Sequence, residues 1–111
     1  MRLALDHIAI AAPDLASGAD HVRTALGIDV PAGGVHPQMG THNRLMRLGQ
    51  DEFLEIIAVD PEAPKPPRPR WFGLDAPLPS PRLVTWILRT DDLASARQAL
   101  GPLAGEPRAV S

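Results

Sequence analysis

The chain has 111 residues, a net charge of -2, 44% hydrophobic residues and no cysteine. That length suits one small domain, which buries only about two-thirds of its unfolded surface, so a single modest core is expected. A disulfide framework and a thiolate metal site are excluded, any metal must be held by histidine and carboxylate, and a near-neutral balance leaves no electrostatic footprint for nucleic acid.

Aromatic residues are scarce at 4%, so the core must be mostly aliphatic. The basic residues are ten arginines and Lys65, and they form no patch beyond Arg68 and Arg70. No apolar run approaches the roughly 18 residues of a membrane span, and the N-terminus meets Asp6 too early for a signal-peptide core. A cytoplasmic protein without nucleic-acid or membrane partners is expected.

Leu3 to Ala11 reads as a strand ended by Pro13, short and apolar. Period-2 alternation places Asp6 toward solvent or a turn, and His7 on the covered face shared with Leu5 and Ala9. Asp14 is a good N-cap for a helix from Leu15 to Leu26, with Gly27 as its stop. Gly18 weakens that helix by about 1 kcal/mol relative to alanine. His21, beside Asp20 on the polar side, reads as solvated.

Ile28-Asp29-Val30 is a short strand at best, because Pro31 and Gly33-Gly34 interrupt it. His36 then falls on a loop between glycine and proline, where a side chain can be presented to a ligand. His42 to Leu48 and Phe53 to Val59 read as an antiparallel hairpin turned at Gly49-Gln50-Asp51. Glu55 is the odd residue, since a carboxylate inside an apolar run must be paired, protonated or bound to a cation.

Eight prolines between residues 61 and 82 leave no room for helix or ladder, so this stretch is an extended connector. Trp71-Phe72 within it implies that the connector is laid down on the protein. Leu83 to Arg89 is a further strand, and Asp92 caps a helix that stops at Gly101. Asp14-Leu15-Ala16-Ser17 and Asp92-Leu93-Ala94-Ser95 are identical openings 78 positions apart, each after a strand and each leading to a helix ending in Leu-Gly. The repeat makes Thr85 the counterpart of His7.

A strand-helix-three-strand unit, a long connector and the start of a second unit resembles the vicinal oxygen chelate superfamily, and within it the glyoxalase-like domain family. The resemblance is carried by Leu5-Asp6-His7, Asp14-Leu15, Gly34-Val35-His36-Pro37, Met39-Gly40-Thr41, Asn43-Arg44-Leu45 and Leu54 to Asp60. It implies an α+β fold: a βαβββ module over residues 1–60, a connector over 61–82 and a partial second module over 83–111, together one domain. It also implies a curled mixed sheet with helices on its outer face.

What the resemblance implies for the site is a divalent cation, such as Zn, Ni, Mn or Fe(II), held by His7 and Glu55 from adjacent strands. In the second unit Thr85 stands where a further ligand is typical, and the strand for the fourth is absent. A hydrogen-bonded His7–Glu55 pair without metal is the alternative. Glu55 and His36 are candidate catalytic groups, and a surface loop histidine is the other reading of the latter. Only one of His42 and Asn43 can face inward. The family pattern favours Asn43, which would orient a substrate carbonyl or pin the turn.

Arg44 and Arg47 fall on opposite faces of one strand; Arg44 is expected inward, toward a carboxylate-bearing ligand, and Arg47 solvated. Trp71 and Trp86, with Phe72, would wall the ligand or pack the core. Three functions fit: a lyase, isomerase or dioxygenase-type enzyme on a small oxygenated molecule, a metal-free binding module, or a truncated form needing dimerisation. A homodimer is expected, with residues 83–101 either joining the first unit's sheet or swapping into a partner.

Overall fold

The computed structural model describes residues 2–109. Five strands and two helices run in the order β1 (Leu3–Ala11), α1 (Leu15–Leu26), β2 (Ala32–His36), β3 (Thr41–Arg47), β4 (Phe53–Val59), β5 (Arg82–Thr90) and α2 (Leu93–Leu100). They form an α+β fold around one mixed sheet of order β2-β3-β4-β1-β5, open at both edges. β1 runs parallel to β4 and antiparallel to β5.

The capping residues act as their chemistry requires. Asp14 accepts from the Ser17 amide, and Asp92 accepts from the Ser95 amide. Both carboxyls sit below their ordinary range, chiefly through hydrogen bonds from Ser17 and Ser95. Gly27 closes α1 at a φ of 70°, a left-handed conformation that costs glycine little.

α1 covers one face of the sheet. Ile10, Leu54 and Ile56 pack there against Ala19 and Val22. The opposite face carries His7, Ala9 and Ala11 of β1 beside Phe53, Glu55 and Ile57 of β4. The connector returns over this second face, where Leu74 is buried with Ala11 and Ile57 while Trp71, Phe72 and Leu78 pack against them. It is laid down as its aromatic pair implied.

Three expectations are corrected. Residues 28–30 make no strand: β2 begins beyond Pro31, and Val30 instead fills the core beneath α1. The glycines expected to prevent a strand lie inside one, at the sheet edge, where few ladder bonds are needed. His36 therefore ends β2, paired with Thr41, and does not sit on a free loop.

The second-unit strand β5 joins the first unit's sheet beside β1. In that pairing Ile87 lies beside His7 and Thr85 beside Ala9. The side chain next to His7 is thus apolar, and the repeat-based counterpart Thr85 sits two pairs further along.

Candidate functional site

The site forms where β1 and β4 run side by side. His7 and Glu55 project from the same face, and His7 Nε2 lies 3.3 Å from Glu55 Oε1. His7 stacks on Phe53 with ring centroids 4.4 Å apart. Glu55 is only 6% exposed, the buried carboxylate that an apolar strand led one to expect.

Each end of this pair is held from behind. His7 Nδ1 donates to Asp6 Oδ2 at 2.7 Å, and that bond is the main reason the Asp6 carboxyl lies below its ordinary range. Asn43 Nδ2 donates to Glu55 Oε2 at 2.7 Å. The same amide nitrogen donates to His36 Nε2 at 3.1 Å. His36 Nδ1 is 2.8 Å from Thr41 Oγ1, and Asn43 Oδ1 accepts from the Gly34 amide at 2.9 Å. With Nε2 accepting, a neutral His36 carries its proton on Nδ1 and donates to Thr41. One polar chain runs from Asp6 to Thr41 across four strands' worth of backbone.

Above it lies a cavity of about 430 Å³ lined by His7, His36, Glu55, Trp71, Phe72 and Ile87. Trp71 meets His36 edge-on at 5.5 Å. The connector is fastened here by Arg70, which donates through Nη1 to Asp75 and through Nε to the Gly40 carbonyl. Phe72 has a φ of 58°, the one positive value among the described residues other than glycine. Such strain costs on the order of 1–3 kcal/mol and persists only where the surroundings dictate it. A larger recess of about 510 Å³ lies along α2 and Gly101 to Glu106, where the charged residues Arg97 and Glu106 pair with each other.

The structure brings together His7, Glu55, His36, Asn43 and Trp71. Arg44 goes elsewhere: it projects from the α1 face, with Nη1 on the Val30 carbonyl at 3.3 Å and Nε buried without a partner. Alternation along β3 makes this unavoidable once Asn43 faces the cavity. Trp86 is 66% exposed, opposite Ile8, and lines a separate recess along β5. Both Asn43 amide protons are taken, by Glu55 and His36, while Oδ1 accepts from Gly34 and keeps a second lone pair.

Asp6, read as facing solvent or a turn, is about a third exposed and in addition bonds His7 and Arg89. The register of β1 against β5 slips between Leu5 and His7, leaving Asp6 as the extra residue of a bulge. A bulge re-aims a side chain, so Asp6 reaches its neighbour where plain alternation would separate them. The adjacency of Asp6 and His7 was the only available signal.

A metal at this site must use His7 Nε2 and Glu55 Oε1. Both are bare of other protein partners and face each other across the gap, and this donor set suits a divalent cation. Among the described residues no cluster of three or more His, Cys, Asp or Glu able to hold a metal occurs. The chain thus offers a two-donor face, with the remaining positions left to water, ligand or another polypeptide.

A family model described as "Glyoxalase-like domain" matches residues 5–110. No curated protein matches by sequence. Among solved structures, methylmalonyl-CoA epimerase from Mycobacterium tuberculosis superposes with a TM-score of 0.57 at 21% identity, over 87% of this chain and 61% of that one. A methylmalonyl-CoA epimerase in complex with methylmalonyl-CoA and NH4+ gives 0.61 at 18% identity, over 89% and 71%. A variant of the Streptomyces coelicolor epimerase in complex with 2-nitronate-propionyl-CoA gives 0.60 at 21% identity, over 97% and 80%. The chain spans about three-fifths of the first of these proteins.

Proposed function

Because the chain belongs to the glyoxalase-like domain family of the vicinal oxygen chelate superfamily, we propose that it is an isomerase-type enzyme acting on a small oxygenated molecule at the His7–Glu55 pair, with a divalent cation between them. The observation that carries this is the approach of Nε2 and Oε1 to 3.3 Å inside a cavity while each group's other polar atom is already bonded. Two acceptors so placed are reconciled by a cation or a proton.

A cation held there supplies Lewis acidity, polarising a carbonyl so that the adjacent C–H becomes acidic. The protein's own groups do the rest. Asn43 fixes the Glu55 carboxylate, leaving Oε1 directed at the cavity. His36 presents Nε2 in the same cavity and accepts a substrate proton when it releases the Asn43 amide. Trp71, Phe72 and Ile87 keep water away from the reacting carbon. The folds that this chain resembles are those of epimerases, so among lyase, isomerase and dioxygenase the likeness favours the isomerase.

A metal-free binding module is the second reading, favoured by Ile87 standing beside His7 in place of a third donor. Elemental analysis of the purified protein beside its Glu55→Gln variant separates the two. The first reading expects near-stoichiometric Zn, Ni, Mn or Fe in the parent and about tenfold or greater loss in the variant. Equal metal content in both would refute it.

A further inference from the structure

We propose that Asp6, itself steered by Arg89 of β5, is a positioning residue that sets the ring tautomer of His7 and thereby leaves Nε2 as a bare lone pair facing Glu55. The inference deepens the preceding reading, on which its relevance to cation binding rests, but the tautomer can be measured independently.

His7 has two carboxylates within reach and its neutral ring has one proton. The Nδ1–Asp6 contact is 2.7 Å, the length of a strong charge-assisted hydrogen bond. The Nε2–Glu55 contact is 3.3 Å, beyond the ordinary range for such a bond. The proton therefore belongs on Nδ1. Glu55 does not compete for it, because Asn43 holds its other oxygen at 2.7 Å and fixes the carboxylate plane. Without Asp6 the proton would move to Nε2 and the pair would close on itself as a plain hydrogen bond.

Asp6 is in turn fixed from the second unit. Arg89 Nη1 lies 3.3 Å from Asp6 Oδ1 and donates at 2.7 Å to the carbonyl of Asp51, in the turn between β3 and β4. One guanidinium thus ties β5, the bulge on β1 and the β3–β4 turn. The repeat suggests that β5 should contribute a ligand at Thr85. The geometry gives it a different part: it acts on His7 through Arg89 and Asp6. Carboxylates behind ligating histidines commonly tune affinity by 10–100-fold.

Ring nitrogens of protonated and bare type are distinguished by ¹⁵N shifts in long-range ¹H–¹⁵N spectra, with His7 assigned by its disappearance in His7→Gln. At neutral pH the purified protein is expected to show His7 with Nδ1 protonated and Nε2 bare or metal-bound. In Asp6→Ala the ring is expected to shift to the Nε2–H or a mixed form. Asp6→Asn, whose side-chain oxygen still accepts, restores the original form. Arg89→Gln keeps it. His7 found in the Nε2–H form in the parent protein overturns the proposal without any variant. So does an unaltered ring in a folded Asp6→Ala. Zinc titration of the same proteins tests the underlying reading separately: a parent that takes up no zinc but shows the expected tautomers removes the cation and keeps Asp6.

Discussion

At the residue scale the site depends on the residue that holds its other polar groups in place. Asn43 is 6% exposed and its amide serves Glu55, His36 and the Gly34 backbone at once. Gly33 makes room for it: a Cβ there would lie 2.2 Å from Asn43 Oδ1 and 2.7 Å from its carbonyl oxygen. Backbone oxygen cannot move aside as a flexible side chain does. Gly33→Ala is therefore expected to displace Asn43 and strand buried polar groups, at a cost of about 1–3 kcal/mol. Thermal melting checks this; a melting temperature within a degree of the parent would show that the amide network is dispensable for stability. Some of this was legible in the residues themselves. A glutamate in an apolar strand pointed to buried chemistry, and an inward Asn43 followed from its motif. An inward Arg44 was inconsistent with it, because neighbours on a strand cannot share a face. Asp6 was hidden because a bulge depends on how β1 meets β5, a pairing between residues far apart in sequence.

At the element scale, α1 raises a conflict between propensity and packing. Gly18 lies mid-helix, where alanine is worth about 1 kcal/mol more. Yet a Cβ at Gly18 would stand 2.4 Å from Ile56 Cγ2 and 3.0 Å from Ala12 Cβ, and Ile56 is fully buried on β4. Overpacking of this kind costs about 1–3 kcal/mol, so packing wins. Gly18→Ala is expected to lower the denaturant midpoint with little change in m-value; a stabilised variant would mean that α1 can lift from the sheet freely. The glycine is the reason α1 sits close enough to cover the strand that carries Glu55. Apolar runs, alternation and helix caps made β1, α1, β3, β4, β5 and α2 readable from local sequence. β2 was not, since Ala32-Gly33-Gly34 has no apolar alternation and earns its strand from Asn43 and the β3 backbone.

At the scale of the molecule, the two sheet edges are unequal. β2 is five residues long, glycine-rich and broken by a register shift, which is how edges avoid other chains. β5 has nine residues and its outer side is unpaired, while Leu83 is 65% and Trp86 66% exposed along it. Beside it a recess of about 460 Å³ is lined by Leu3, Trp86, Leu93, Leu100 and Leu103. α1 has a sheet to cover, whereas α2 packs chiefly on the turn that follows it. A second copy of the chain, pairing β5 with β5, would cover the edge and bury Trp86 in both copies through one isologous contact. We therefore expect a homodimer in solution at micromolar concentration. Trp86→Lys, placed on an exposed side chain outside the His7–Glu55 cavity, is expected to yield a folded monomer. Light scattering decides: a monomeric mass for the parent chain at tens of micromolar would leave β5 as an edge for some other strand.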